Sequence, residues 1–326
     1  MMAGGTGLDP DAFAFLTAAG ITDATITAAI DTLVLDLKSY GIWTKMNAIY
    51  PFVGGTGLDP DALAFLTAAG ITDATITAAI DTLVLDLKGY GIWTKMNAIW
   101  PFVGGTATTH KFNLKNPQDT NAAFRLVFTG GWVHSATGAK PNGTNAWADT
   151  FLIPNTVMPS GGDHLAYYSR TNSANNIDYV IGAENSAIIG STTILGLVAK
   201  RNASLGANGR GFYATSNPSL TYINALQDNS SRDTRGLFLG IGNALNTYYI
   251  LNNNILASNT TIQTFLSRLL ESLAIGALKV NGNIGASGYT DKECAFASVG
   301  SDLSLAEAAN LYTAVQAFQT TLGRQV

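Results

Sequence analysis

GGTGLDPDAFAFLTAAGITDATITAAIDTLVLDLKSYGIWTKMNAIYPFV, residues 4–53, decides the organisation of this chain because it recurs almost unchanged over residues 54–103. We call these segments repeat 1 and repeat 2. Identity along a whole unit predicts that both fold alike, and stacked modules are typical of fibres, surface proteins and virion components. The duplication therefore favours a role in architecture or attachment. The differing positions are Phe13/Leu63, Ser39/Gly89 and Tyr50/Trp100.

Helix signals are dense inside each repeat. Asp9 followed by Pro10 predicts a helix start, because Asp caps and Pro suits the first helical position, and Gly20 predicts its end. A second helix is predicted from Asp23 to about Tyr40, with apolar residues recurring at the helical period. The segment WTKMNAI is predicted as a short third helix. Each repeat is therefore predicted to be a small three-helix unit.

Leu35 lies opposite the apolar stripe of the second helix, and Leu85 is its equivalent in repeat 2. One interpretation is a scattered surface leucine, which is common. The other is a second contact face, since a core of this size gains from partners. Trp100 replaces Tyr50 where repeat 2 meets the next region. On the second interpretation Leu35, Leu85 and Trp100 are predicted assembly contacts.

The composition limits the classes of function. Of 326 residues, 47% are apolar and only 12% are charged, so real cores are expected and solubility must come from Asn, Thr, Ser and Gly. The net charge of −4 and the absence of a basic patch argue against nucleic-acid binding. No signal-peptide pattern and no run of 18 apolar residues occurs, so a protein made in the cytoplasm without membrane insertion is expected.

From Thr106 the sequence changes to short β-prone runs such as HLAYYSRTN, TTILGLVAK and RGLFLGIG, separated by turn residues. A final helix over 304–323 is predicted from Ser304 as cap and Glu307 as its capping-box partner. The predicted fold class is α+β and multidomain: two helical repeats, then an all-β jelly-roll sandwich with a C-terminal helix. The predicted domains are 1–53, 54–105 and 106–326.

A family resemblance extends over essentially the whole chain. The order NGTNAWADT, HLAYYSRTN, RGLFLGIG, SLAIGALKVNG and ECAFASVGSDLSLAEAANLYTAVQAFQTTLGR resembles the laminin-G/concanavalin-A-like sandwich. More narrowly, IWTKMNAI(Y/W)PFVGG joined to HKFNLKNPQDTNAAFRL and the C-terminal helix is similar to a module of bacteriophage virion proteins. The resemblance implies a tail-fibre, capsid-fibre or similar surface role with glycan recognition. The doubled helical unit departs from the single copy that the resemblance implies.

We therefore predict a phage structural protein, a surface-displayed fibre or decoration component of the virion. Its helical repeats would mediate attachment or assembly, and its sandwich would recognise a host-surface glycan. The expected partners are further copies of the chain, with a trimer as the natural fibre symmetry, and other virion proteins. The alternative is a carbohydrate-binding lectin module of a bacterial surface or secreted protein. Anchoring, extension and lattice formation all stay open for the repeats.

Signals for catalysis are weak. His110, His134 and His164 are far apart in sequence, and Cys294 is the only cysteine, so a structural zinc site is not expected. No nucleophile-elbow or phosphate-loop motif occurs. We predict that the chain is not an enzyme and holds no metal. A glycan-degrading enzyme acting through Asp149 or Asp228 is the remaining enzymatic alternative.

Binding residues are expected in two loop-like stretches, because sugars are recognised by aromatic faces, amides and carboxylates. HSATGAKPNGTNAWADT supplies Asn142, Asn145 and Asp149, together with Trp147, which is either a core residue or a ligand contact. TSNPSLTYINALQDNSSRDTR supplies a second set, whose alternative is an ordinary solvated loop. Asp228 and Asp233 of this set offer oxygen ligands to Ca²⁺, although their spacing matches no calcium loop, so no cofactor is predicted. The second set is Tyr222, Asn224, Asp228 and Asp233.

Overall fold

A computed structural model describes residues 7–49, 51, 57–158, 162–173, 177–186, 192–201, 211–215, 233–243, 247–259, 269–284 and 288–326. Contacts between Cα atoms divide the chain into two compact units, Met1–Leu58 and Asp59–Val326. Repeat 2 thus packs in the same unit as the β-rich region. The boundary at residues 105/106 stays a sequence-based prediction.

The described residues form seven α-helices and three short 3₁₀ turns. The 3₁₀ turns are Trp43–Lys45, Trp93–Lys95 and Asn121–Ala123. The helices are α1 (Pro10–Ala19), α2 (Ala24–Ser39), α3 (Pro60–Ala69), α4 (Ala74–Gly89), α5 (Ala107–His110), α6 (Pro154–Val157) and α7 (Leu305–Thr321).

The strands among the described residues all lie C-terminal to repeat 1. They are β1 (Met96–Trp100), β2 (Val127–Thr129), β3 (Trp132–Ser135), β4 (Gly138–Pro141), β5 (Trp147–Asp149), β6 (Gly162–Ser169), β7 (Ile177–Ser186), β8 (Thr192–Arg201), β9 (Gly211–Thr215), β10 (Gly236–Asn243), β11 (Thr247–Leu251), β12 (Asn254–Asn259), β13 (Ala274–Ile275), β14 (Lys279–Val280), β15 (Asn283–Ile284) and β16 (Cys294–Gly300).

The first two helices of each repeat agree with the sequence signals. The Asp9 carboxylate accepts a hydrogen bond from the amide of Asp11 and also binds Lys38 at 2.6 Å, which ties α1 to α2. Gly20 ends α1 in the left-handed conformation, with φ of 65°. The same contacts recur in repeat 2, where Asp59 lies 2.7 Å from Lys88. Caps and ion pairs of this kind depend only on residues inside the repeat.

The predicted third helix is wrong in both repeats. WTKMNAI begins with a single 3₁₀ turn, and in repeat 2 its remainder becomes β1. β1 pairs antiparallel with β16, with Trp100 opposite Ala297. In repeat 1 residues 46–49 form no strand. The backbone hydrogen bonds that a third helix would have made are supplied in repeat 2 by a strand about two hundred residues further along.

The strands form two sheets that face each other. Sheet 1 has the order β12-β11-β10-β6-β16-β4-β3, with β1 also paired to β16. Sheet 2 has the order β15-β14-β7-β13-β5-β2, extended from β7 by β8 and β9. All these pairings are antiparallel except that of β14 with β7. The α+β class and the sandwich of antiparallel sheets agree with the prediction, whereas jelly-roll connectivity stays a prediction.

The main core lies between the sheets and includes Trp100 of repeat 2. Strand β6 is buried along its whole length, because α7 covers the outer face of sheet 1. At the end of α7 the buried guanidinium of Arg324 donates to the carbonyl oxygens of Phe102 and Ala295. Helix α4 of repeat 2 packs directly on α7. Repeat 2 is therefore built into the sandwich unit through a helix, a strand and a buried tryptophan.

Candidate functional site

One end of the sandwich gathers polar side chains from several loops. We call it the loop end of sheet 1: β6 ends there, β10 and β16 begin there, and residues 170–173, 233–235 and 289–293 lie there. Backbone pairing fixes this arrangement, since Ser169 lies opposite both Gly236 and Cys294. The Thr234 hydroxyl donates to the carbonyl oxygen of Thr171, joining two of the loops.

A carboxylate at this end is held by one oxygen only. Oδ1 of Asp291 accepts hydrogen bonds from Ser173 Oγ at 2.6 Å and from Lys292 Nζ at 3.1 Å. The Lys292 ammonium is fully buried and also donates to Ser173 Oγ. Within the described part of the chain, no hydrogen bond from another residue reaches Oδ2 of Asp291. Since the Asp291 side chain is 28% exposed, that oxygen can receive a hydrogen bond from a ligand.

The Asp291 carboxylate is ionised at neutral pH. Partial burial raises its pKa, but the hydrogen bond from Ser173 and the charge of Lys292 outweigh burial and hold the pKa below its usual range. Beside it, Glu293 accepts a hydrogen bond from Thr137 Oγ1 at 2.6 Å and lies 3.4 Å from Arg170. The loop end therefore presents fixed charges of both signs on positioned side chains.

Two half-buried aromatic rings belong to the same end of the sandwich. Tyr289 precedes the Asp291 segment, and Trp132 lies on edge strand β3. They are connected through Gly276, whose carbonyl oxygen accepts a hydrogen bond from the Thr290 amide. Gly276 has φ of 90°, and a Cβ there would lie 3.0 Å from the Trp132 ring, so glycine permits this close approach. Aromatic faces next to carboxylates are the usual composition of sugar sites.

The predicted residues Asn142 and Asn145 adjoin this end, and the Oδ1 atoms of both accept hydrogen bonds from within the loop. Oδ1 of Asn142 accepts from the amides of Thr144, Asn145 and Ala146, which makes it the centre of a tight turn. Its Nδ2 donates to Asn145 Oδ1, which also accepts from the Gly131 amide. These interactions position the loop. Among the described residues no hydrogen bond involves Nδ2 of the exposed Asn145, so that amide nitrogen can still donate to a ligand.

Asp149 takes part in a largely buried charge network on sheet 2. Its Oδ2 is 3.0 Å from Lys279 Nζ, and Lys279 also contacts Glu271 at 2.9 Å. Burial lowers the pKa of Lys279, but hydrogen bonds from its ammonium to Glu271 and Asp149 more than offset this and raise it. Oδ1 of Asp149 accepts from Phe151 N and Ser272 Oγ. Every oxygen of this carboxylate is thus engaged within the protein.

The remaining predicted binding residues fall in different places. Asp233 lies at the loop end and pairs with Arg235 at 2.5 Å. Tyr222, Asn224 and Asp228 lie outside the described residues. Trp147 is half-buried, and its carbonyl oxygen accepts a hydrogen bond from the Trp132 indole at 3.2 Å.

The predicted assembly contacts also fall in different environments. Leu35 and Leu85 are 49% and 50% exposed, so their role stays a prediction. Trp100 is fully buried, and its indole donates to the carbonyl oxygen of Phe124 at 3.0 Å. A contact of Trp100 with another subunit does not fit this position. The tryptophan at this position, where repeat 1 has Tyr50, packs in the core of the sandwich.

The binding residues predicted from the sequence do not include Ser173, Tyr289, Asp291 and Lys292. One signal was present: Asp291, Lys292 and Glu293 are three consecutive charged residues in a chain that is only 12% charged. Such a run just before a buried strand indicates a charged loop at a sheet end.

Two classes of feature are absent from the described part of the chain. No three His, Cys, Asp or Glu side chains there converge closely enough to hold a metal ion. None of the helices described is both long and apolar enough to cross a bilayer.

Comparison with known proteins gives a likeness in fold alone. No protein-family model and no curated protein sequence matches this chain. Among solved structures, a mutant of Trypanosoma rangeli sialidase displaying trans-sialidase activity has a TM-score of 0.48 and 10% identity, over 73% of this chain and 39% of that one. Domain 4 of AbnA, a GH43 extracellular arabinanase from Geobacillus stearothermophilus in complex with arabinotriose, has a TM-score of 0.40 and 11% identity, over 67% of this chain and 98% of that domain.

These matches correct one prediction. The prediction that the chain is not an enzyme is contradicted by structural neighbours that are sialidases and a domain of a GH43 arabinanase. The chain spans 39% of the length of the sialidase, and at such TM-scores and identities the likeness assigns neither a substrate nor a catalytic residue. Neither of these two structures is a phage protein.

Proposed function

We propose that the β-sandwich is a carbohydrate-recognition module and that the loop end of sheet 1 binds the sugar. The observation that carries the proposal is the Asp291 carboxylate, fixed through one oxygen by Ser173 and Lys292 and open at the other. A positioned, ionised acceptor of this kind suits a pair of sugar hydroxyls, because it needs no reorganisation when the ligand arrives.

Neighbouring groups complete the proposed site. The half-buried ring of Tyr289 supplies an apolar face for sugar C–H groups, two residues from Asp291. Arg235 and Asp233, both exposed, supply further donors and acceptors at the rim. The likeness to structures of sugar-acting proteins is compatible with this assignment, which rests on the side chains themselves.

The test is a glycan array with the full-length chain, followed by titration of the best-binding glycan. Asp291→Asn and Tyr289→Ala should each weaken binding at least about tenfold, because each removes a contact worth about 1.4 kcal/mol or more. Asp149→Asn is the matched control, since it makes the same chemical change in the network on sheet 2. Loss of binding in a folded Asp149→Asn variant, with Asp291→Asn unaffected, would place the site on sheet 2.

Hydrolysis is measured with the same glycans through the release of reducing ends. Binding without release identifies a recognition module. Release that is abolished in Asp291→Asn would identify a glycan-degrading activity at the same loop end.

A second proposal concerns the setting in which the sandwich acts. The virion role, with the chain as a homo-oligomeric surface component beside other virion proteins, is supported by the resemblance of the junction and terminal helix to phage modules. The exposed apolar residues of repeat 1 also favour it, because exposed apolar side chains suit contacts with further subunits. Co-purification of the protein with phage particles tests this role, and its consistent absence from them would favour the lectin module of a bacterial surface.

A further inference from the structure

Repeat 1 and repeat 2 carry the same apolar face, which is exposed or half-buried in repeat 1 and buried in repeat 2. Leu33 of α2 is 39% exposed, whereas its equivalent Leu83 of α4 is 1% exposed. Met46 is 43% exposed, and Met96 only 4%. We call this surface of repeat 1 the open face; its residues are Phe15, Ala29, Leu33, Leu37, Ile42 and Met46. The equivalents in repeat 2, all buried, are Phe65, Ala79, Leu83, Leu87, Ile92 and Met96.

The open face contains a groove. A cavity of about 90 Å³ is lined by Phe15, Leu33 and Leu37 of the open face, together with Trp43 and Ile49. None of the three positions that differ between the repeats belongs to the open face. The groove therefore has the same side chains as the surface that repeat 2 buries.

In repeat 2 this surface is covered by helix α7 and, at Met96, by strand β16, which pairs with β1. Helix α4 packs on α7, and Lys95, a cation shortly after α4, binds Glu307 in the first turn of α7 at 2.7 Å. Leu311, Val315 and Phe318 form part of the buried side of α7. The surface thus accepts a helix with a carboxylate in its first turn and apolar residues at helical spacing behind it.

We infer that the open face of repeat 1 is a docking surface for an amphipathic helix of the α7 type supplied by another protein chain. The partner helix carries a carboxylate in its first turn, which pairs with Lys45, the exposed equivalent of Lys95. Its apolar side fills the groove between Phe15 and Leu37. The inference is independent of the sugar site, since it concerns repeat 1 alone.

The α7 helix of a second copy of the same chain is a poorer occupant. Each copy has one α7, and that helix already lies against its own repeat 2. Exchanging one repeat for the other would bury one face and expose an identical one, so the exchange gains no apolar burial. A helix from a different chain covers the open face without uncovering another.

The experiment uses a fluorescent peptide with the sequence of residues 303–323, titrated into the full-length chain. Because a short helix is marginal in water, the same segment is also fused ahead of residue 1 through a flexible linker, which raises its effective concentration to about the millimolar range. One peptide should bind per chain, and hydrogen exchange of α2 should slow in the fusion. Leu33→Asp should weaken binding at least about tenfold, because it places a charge in the apolar contact.

Leu35→Asp is the matched control, since Leu35 lies on the opposite side of α2 and should leave binding unchanged. Unaltered binding to Leu33→Asp, or no slowing of exchange in the fusion, would overturn the inference. Faster exchange of residues 96–100 on peptide addition would mean that the peptide displaces repeat 2, which also overturns it. A full-length dimer in light scattering that Leu33→Asp dissociates would identify a second copy as the occupant instead.

Discussion

Repeat 1 and repeat 2 present nearly one sequence in two environments. WTKMNAI is identical in both, yet it continues into a buried strand in repeat 2 and forms no strand in repeat 1. Likewise, Leu33 is 39% exposed, whereas Leu83 is only 1% exposed. The difference comes from α7 and β16, which cover repeat 2. Local sequence therefore defines the two helices of each repeat, and tertiary contacts decide the conformation of the segment after the second helix.

The largest expected difference concerns the matched leucines. Leu83→Ala should lower the free energy of unfolding of the Asp59–Val326 unit by about 2–5 kcal/mol, because it leaves a cavity in a fully packed contact. Leu33→Ala removes a side chain that is already 39% exposed, so repeat 1 should lose roughly 1 kcal/mol or less. Urea unfolding of the two variants measures both. Equal losses would mean that the open face is covered in solution.

The next largest expected difference between the two units is the loss of stability at acid pH. Repeat 1 contains no histidine, whereas burial lowers the pKa of His164 to about 4, and burial with the nearby charge of His134 lowers that of His110 to about 3. The unfolded chain binds these protons near pH 6.5 and the folded chain only below about 4. The stability of the Asp59–Val326 unit should therefore fall as pH drops from 6.5 to 4.

The size of this loss of stability follows from the shift in the histidine pKa. For His164 it amounts to about 3 kcal/mol, from an ordinary value of 6.5 to about 4. Denaturant titrations between pH 7 and pH 4 measure it, with His164→Gln as the control that should flatten the curve. Repeat 1 should change little over this range. A parallel loss in repeat 1 would mean that the two units unfold together.

The smallest difference concerns the cation after each second helix. Lys95→Met removes the ion pair with Glu307, whose partners are 35% and 23% exposed, and should lower stability by about 1 kcal/mol or less. Lys45→Met should leave the stability of repeat 1 unchanged, because the equivalent lysine is exposed. Thermal unfolding at low and high salt measures both, since only the Lys95 effect should shrink with salt. An effect of Lys45→Met that matches that of Lys95→Met would mean that Lys45 already has a carboxylate partner.

Much of the fold was predictable because its signals are local. The Asp9-Pro10 start, the Gly20 end and the Ser304–Glu307 capping box all occur where the sequence indicated. The prediction of a third helix was wrong because the hydrogen-bond partners of Met96–Trp100 lie in β16. No local sequence pattern reveals this pairing. Trp100 failed as an assembly contact for the same reason, since its burial depends on the facing sheet.

The candidate site was less predictable. Asn142 and Asn145 have the residue types of a sugar site, but asparagine serves equally well to form a turn, and the structure uses them so. Asp149 is occupied by Lys279, a partner far away in sequence. Asp291 can offer Oδ2 to a ligand because Ser173 and Lys292 bind its Oδ1 and fix the carboxylate. Pairings between distant loops decide which carboxylate is free.

The central claim is that contacts with α7 and β16, and not the repeat sequence, form β1 and bury its surroundings. Hydrogen exchange followed by mass spectrometry tests it directly, because Ser39 and Gly89 give the equivalent peptides 39–49 and 89–99 different masses. The account predicts slow exchange for the amides of Met96–Ile99 and fast exchange for those of Met46–Ile49. Equal protection of the two segments would contradict it.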